Sequence, residues 1–216
     1  MKLYNANLSP YSARVRLQLY AKGIKAELLP PPGGGIHTPE YAKINPLERL
    51  PALDDGGFII PESGAILEYI EDTHPTPALR PTDLKDRARM RVLYDVADLY
   101  ALTALFKLFN QTNPKTRDAK VVDTALTELA QSLKGMEHYI SGGKYAVGSS
   151  LTLADCALVP TLFFVSALGP AFGQGDLLNA TPKVKAYYAA VQADPNVAKI
   201  VKELGEALAE RLKAGA

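Results

Sequence analysis

The stretch that decides the fold is Pro51-Ala52-Leu53-Asp54-Asp55-Gly56-Gly57-Phe58-Ile59-Ile60, continued by Pro61-Glu62-Ser63 and a run to Thr73. Two short apolar runs, 51–53 and 58–60, flank Asp-Asp-Gly-Gly, whose members tolerate positive φ. The pair therefore reads as an antiparallel hairpin. Pro51 opens the first of these strands, where a missing N–H is tolerated. From Glu62 the period changes: Ile66, Leu67 and Ile70 fall on one face of a helix ending at Thr73.

Toward the N-terminus, Lys2 to Asn5 reads as a strand and Tyr11 to Lys22 as a helix stopped by Gly23. Glu27 to Leu29 is a second strand, and Pro30 to Gly35 an irregular loop. The order β-α-β-(loop and short helix)-β-β-α predicts a mixed four-stranded sheet, since parallel strands need a crossover and the hairpin is antiparallel. Toward the C-terminus, the segment from His74 to Pro81 carries Pro75, Pro77 and Pro81 and reads as a rigid linker. Beyond it, helices are expected over 82–110, 116–140, 153–168, 182–193 and 196–214. The division expected is a first domain at 1–76, a linker at 77–82 and an all-helical domain at 83–216. Thr152-Leu153-Ala154-Asp155 is a capping box, with Leu151 placed as a hydrophobic staple; it is a folding element.

The 216 residues are 47% apolar and 22% charged, with a net charge of +1. That balance offers no broad field for nucleic acid or an acidic membrane surface. Cys156 is the one cysteine, so no internal disulfide and no cysteine metal site is expected, and a reducing, cytoplasmic setting follows. His37, His74 and His138 lack zinc spacing, so no metal is expected. The apolar run from Ala154 to Leu168 is broken by Pro160 and reads as a buried helix rather than a membrane span.

Three short segments are candidates for chemistry. Ser9-Pro10-Tyr11-Ser12 joins a strand to a helix, with Pro10 suited to the first turn. Ser9 then sits where backbone N–H groups favour an anion. Taken alone, Ser9 reads more readily as an ordinary N-cap. In the segment from Asn45 to Leu53, Arg49 could fork a carboxylate, though alone it also reads as a solvated surface residue. Glu62-Ser63 opens a helix and could hold an ammonium and a carboxylate, the two charges of one amino-acid group.

Together these segments resemble the cytosolic glutathione S-transferase superfamily. The matching residues are Ser9-Pro10-Tyr11-Ser12 before Arg14-Val15-Arg16, Asn45-Pro46 with Leu50-Pro51-Ala52-Leu53, Glu62-Ser63 with Ile66-Leu67 and Tyr69, and Gly148 to Asp155. Each is weak alone; all four in order span nearly the whole chain. The loop is of the serine type found in theta- and zeta-like members. The resemblance implies a thioredoxin-like α/β domain followed by an all-α domain, a homodimer, and a cis Leu50–Pro51 bond. It implies glutathione as co-substrate, with Tyr11 beside it and the Leu50 backbone pairing with the cysteinyl part. Glu62 and Ser63 would take the γ-glutamyl end, and His37 and Arg49 the glycyl carboxylate.

A free thiol has a pKa of about 8.5, and the thiolate is the nucleophile. A hydroxyl donating to sulfur favours the charged form. Ser9 is the expected hydroxyl and Ser12 the reserve; Tyr4 lies near where other classes carry a catalytic tyrosine. With no cysteine in the loop, dithiol exchange is argued against. The isomerase-like class with a Ser-Ser-Cys-Ser loop differs here at Pro10 and Tyr11. The electrophile pocket is expected around Tyr11, Leu102, Phe106, Phe109 and Phe163. Leu102 and Phe109 belong to a stripe with Asp98 and Leu105 that also reads as plain core. Asp95 or Asp98 could reach the γ-glutamyl ammonium across a dimer interface. The expected activity is addition of glutathione to an apolar, aromatic electrophile. The alternatives are a glutathione-dependent isomerase or ether-cleaving enzyme, or a non-catalytic binding protein of the same fold.

Overall fold

A computed structural model describes residues 1–214 of the chain. It divides into two compact units, Met1–Leu79 together with the C-terminal helix, and Arg80–Asp194.

The first unit is built on strands β1 (Lys2–Tyr4), β2 (Glu27–Leu29), β3 (Ala52–Asp55) and β4 (Phe58–Pro61). They form one sheet in the order β2-β1-β3-β4, the expected mixed four-stranded arrangement. β1 pairs in parallel with β2 and antiparallel with β3, which pairs antiparallel with β4. The hairpin is longer than expected. Asp54 and Asp55 belong to the ladder opposite Ile59 and Phe58, leaving Gly56 and Gly57 as the turn. Both glycines have positive φ, 65° and 98°, as a tight two-residue connection demands. Asp54 accepts the Gly57 N–H at 2.7 Å and closes the turn.

Helices α1 (Pro10–Ala21), α2 (Pro39–Ala42) and α3 (Ser63–Thr73) complete the thioredoxin-like sequence of elements. α1 is buried on nearly every side, and its buried residues include Arg14, Arg16 and Gln18. Such groups must be paired when removed from water. Gln18 donates to the Leu67 carbonyl of α3 at 2.8 Å. Lys22, at the end of α1, is also buried. Its ammonium meets Glu71 at 2.8 Å and donates to the carbonyls of His74 and Pro77, each at 2.7 Å. These three acceptors match its three donors. Glu71 in turn accepts the Leu79 N–H at 2.9 Å, so one buried ion pair ties α1 to α3 and to the segment beyond it.

The helix α9 (Pro195–Ala214) was expected in the second domain, but it groups with the first unit, packing on α1. The contact is polar at its centre. Arg16 meets Glu203 at 3.3 Å and donates to Asn7 through two nitrogens. Tyr20 donates to Glu203 at 2.9 Å, and the Lys199 ammonium lies 3.5 Å from the Tyr20 ring centre. Amphipathic periodicity alone could not reveal which unit such a helix joins.

The second unit contains α4 (Leu84–Asp95), a π-helical segment (Val96–Ala101), α5 (Leu102–Phe109), α6 (Ala119–Tyr139), α7 (Leu153–Leu168) and α8 (Pro182–Val191). The run expected as one helix over 82–110 is therefore interrupted by a π turn. α7 matches its expected bounds. With the following turn, it is long and apolar enough to cross a membrane, but 78% of that window is buried in the fold, as a core helix requires. The capping box is present at its start. Fully buried Asp155 accepts from Thr152 N–H and hydroxyl, from Ala146 N–H and from the Tyr187 hydroxyl, at 2.7–2.9 Å. Burial pushes its carboxyl upward, and these donors oppose the shift.

Burial, with help from Glu203, raises the Tyr20 phenol from 10.0 to about 12. A folded-state pKa above the unfolded one adds stability that is complete below the lower value and lost as pH rises through the higher. Tyr20→Phe is thus expected to be less stable than the wild type at neutral pH, with the gap closing between pH 10 and about 12. Urea unfolding of both proteins across that range measures it, and a constant gap refutes it.

Candidate active site

Strand register gathers the three segments. In the sheet order, Leu29, Tyr4, Ala52 and Pro61 form one row of paired residues at one end. The chain leaves β2 beyond Leu29, leaves β1 beyond Tyr4, enters β3 after Pro51 and leaves β4 toward Glu62. All four connections therefore lie at the same end of the sheet. They bring together the loop carrying His37, the loop carrying Ser9, the segment from Asn45 to Pro51, and the start of α3.

Ser9 is the N-cap of α1. Its Oγ accepts the Ser12 N–H at 3.2 Å, and Pro10 occupies the first turn. The side chain is half-buried, and its own O–H remains to donate. Ser12 differs: it is fully buried, and its Oγ accepts the Ala6 N–H at 3.4 Å. One hydroxyl reaches the site surface while the other braces the preceding loop.

The Leu50–Pro51 peptide bond is cis, as the resemblance implies, and so is Thr76–Pro77. Just before Pro51, the Arg49 carbonyl accepts from the buried Tyr41 hydroxyl at 2.6 Å and from buried Asn45 at 2.8 Å. Tyr4 packs its ring edge-on to Tyr41, with centres 5.9 Å apart. Among the described residues, the backbone N–H and C=O of half-buried Leu50 have no hydrogen-bond partner. That leaves an open ladder position beside the Ser9 loop.

At the start of α3, Glu62 is exposed with φ 66° and ψ 114°, outside the conformations L residues favour. Ser63 is buried and accepts from Arg14 at 3.4 Å. The Arg14 guanidinium lies 4.9 Å from the centre of the Tyr11 ring, so one buried cation touches both the Ser9 loop and the α3 start. The sequence motif contains Arg14, but only the structure shows this bridging position. His37 is exposed and meets Glu48 at 2.7 Å. Arg49 is exposed. Among the described residues, no group of three or more His, Cys, Asp and Glu is placed to hold a metal ion.

Residues 3–78 match the family model described as the glutathione S-transferase N-terminal domain, and residues 96–195 match that of the C-terminal domain. Maleylacetoacetate isomerase of Mus musculus is 36% identical over 167 residues, covering 73% of this chain and 74% of its own. The chain belongs to the glutathione S-transferase family. Glutathione S-transferase 3 of Zea mays is 33% identical over 214 residues, covering 93% of each. The apo structure of glutathione S-transferase III superposes with a TM-score of 0.78 at 32% identity, covering 93% of this chain and 95% of that one. Residues 3–78 of the first unit thus form the family's thioredoxin-like N-terminal domain.

The second unit places the remaining expected residues. Leu102 and Leu105 are completely buried in its core. Phe106, 39% exposed, meets Phe109 edge to face at 5.4 Å. Phe109 meets Phe164 at 5.1 Å, and Phe164 meets Phe163 at 5.2 Å. The π segment carries Asp98, while Asp95 ends α4.

The Glu62 backbone gives a direct test of stored strain. Left-handed backbone costs an L residue about 1–2 kcal/mol that glycine avoids. Glu62→Gly is expected to be more stable than Glu62→Ala by about 1–2 kcal/mol, since the glycine avoids the strain and the alanine keeps it. Denaturant unfolding of the two variants decides it, and an alanine variant as stable as the glycine one refutes the strain.

Proposed function

We propose that this protein is a glutathione transferase in which Ser9 donates its hydroxyl to the glutathione sulfur, holds it as thiolate and directs it to an apolar, aromatic electrophile. The observation that carries the reading is the shared row Leu29–Tyr4–Ala52–Pro61, because it puts three weak motifs and the His37 loop along one edge. Three strand spacings of about 4.8 Å cover about 14 Å, comparable to an extended tripeptide of about 10 Å with groups gripping each end. His37 and Arg49 lie toward the glycyl end. The open Leu50 backbone pairs with the cysteinyl residue, while Glu62 and Ser63 take the γ-glutamyl ammonium and carboxylate. Tyr11 flanks the peptide, braced by Arg14.

At pH 7 a thiol of pKa about 8.5 is only about 3% ionised. Lowering it by about 1.5 units requires about 2 kcal/mol, within reach of one charge-assisted hydrogen bond acting with a helix N-terminus. The half-exposed Ser9 suits the role better than Ser12, whose oxygen already braces Ala6. In the second unit, the chain of Phe106, Phe109, Phe164 and Phe163 supplies apolar surface and no charge, which favours an apolar acceptor.

A second reading follows from the isomerase named among the relatives: the same thiolate adds to an activated double bond, the bond rotates, and the thiolate leaves. Its acceptor would carry carboxylates, which a phenylalanine cluster does not hold. The two readings share Ser9 and differ in the acceptor.

Retention on immobilised glutathione is expected for the wild type and Ser9→Ala alike. Conjugation of a generic aryl halide should fall by about 30-fold in Ser9→Ala, the rate equivalent of about 2 kcal/mol. Failure of the wild type to bind the tripeptide removes the proposal. A larger loss in Ser12→Ala reassigns the hydroxyl. Turnover of maleylacetoacetate but not of the aryl halide favours the isomerase. The proposal includes a homodimer: Leu99 and Tyr100 are 59% and 60% exposed beside a groove of about 820 Å³ in the second unit. Sedimentation should report a dimer that Tyr100→Glu weakens; a wild-type monomer removes this part.

A further inference from the structure

Glu48 holds a backbone conformation that a glycine would adopt at lower cost, with φ 51°. The surrounding segment is fixed: the Glu48 N–H donates to the Asn45 carbonyl at 2.9 Å, and the next carbonyl is held by Tyr41 and Asn45. A strained position that keeps a glutamate points to a use for its side chain. That side chain accepts from His37 Nδ1 at 2.7 Å. The bond joins the loop after β2 to the loop before β3, which the sheet separates by β1. Both loops lie at the end of the sheet that carries Ser9 and Pro51.

A carboxylate only accepts, so Nδ1 carries the hydrogen in this pair. The ring is then oriented, with Nε2 directed away from Glu48. A ring carrying both protons presents Nε2–H as a donor to an anion. Paired in that form, Glu48 and His37 are neutral together, so the glutamate does not repel an incoming carboxylate.

We propose that Glu48 is a positioning residue: by accepting from His37 Nδ1 it aims the other ring nitrogen at the C-terminal carboxylate of the bound peptide, and so selects glutathione over a thiol lacking the glycyl residue. This rests on the glutathione-binding reading above and assigns a specificity role to a side chain that does not itself touch the ligand.

Calorimetric titration of the full chain with glutathione and with γ-glutamylcysteine tests it. Glu48→Ala is expected to weaken glutathione about tenfold, roughly one lost oriented hydrogen bond, while γ-glutamylcysteine binds as before. Glu48→Gln, whose amide oxygen still accepts from Nδ1, should restore most of the affinity. The double variant Glu48→Ala with His37→Ala should bind glutathione no more weakly than His37→Ala alone. Equal losses for both thiols would mark a merely structural role, and no loss for either would remove the positioning role; both overturn the inference. Wild type that binds neither thiol overturns the glutathione reading itself, which keeps the two failures distinct.

Discussion

The site depends on strand register. A strand displaced by one residue would reverse which side chains face the core, and here the apolar pattern leaves little freedom: Leu3 and Leu53 are paired and fully buried. Once Leu3 faces Leu53, Tyr4 must face Ala52, and the hairpin brings Pro61 into the same row. Core packing thus aligns the exits that carry Ser9, Pro51 and Glu62. The shared edge needs no separate organising element, because burial of a few aliphatic side chains already specifies it.

α1 meets a second requirement. Under the proposed reading the Ser9 hydroxyl must be placed to within about half an ångström, and apolar packing alone tolerates small slides. α1 is instead held by directional groups spaced along its length. Arg14 engages Ser63 and Tyr11, Arg16 engages Asn7 and Glu203, Gln18 engages Leu67, and Lys22 engages Glu71 and two carbonyls. Buried charges are costly to desolvate and contribute stability only when fully partnered. What they add here is position: Arg14, Gln18 and Lys22 fix α1 along α3, and Arg16 fixes it to α9 and the loop after β1, so the N-terminus of α1 cannot drift without breaking several at once.

The same physics explains what could be read from the chain. The hairpin, the βαβ order, the linker prolines and the capped α7 are local signals and were legible, as was the Ser9–Ser12 loop. The grouping of α9 with the first unit is not legible in the chain, because its contacts with α1 run through Arg16, Tyr20 and Glu203, residues that read as surface in a single sequence. The π segment was invisible because an inserted residue in one turn leaves composition and amphipathicity almost unchanged. Arg14 and Glu48 were passed over for a related reason. A buried arginine and a glutamate with positive φ are both unusual, and only coordinates reveal burial and backbone angle.

The two units divide the chemistry under the proposed reading. Activation of sulfur needs a hydroxyl, a helix end and a gripped tripeptide, and the first unit supplies all of these from fixed backbone. Choice of acceptor needs only a surface of suitable polarity. In the second unit Phe106, Phe109, Phe164 and Phe163 meet edge to face, and the proposed reading takes the acceptor against this cluster, whose favourable contacts are with other aromatic rings. Relatives named as transferase and isomerase are similar to this chain at nearly the same identity. That follows if the costly part of the design, a stabilised thiolate, is shared and the distinguishing part is a few side chains on helices. A carboxylate-bearing acceptor left among phenylalanines would lose its hydration without a compensating partner, a cost of several kcal/mol for an unpaired charge. An aryl electrophile would bury its ring there at a gain, and under the proposed reading that asymmetry favours conjugation.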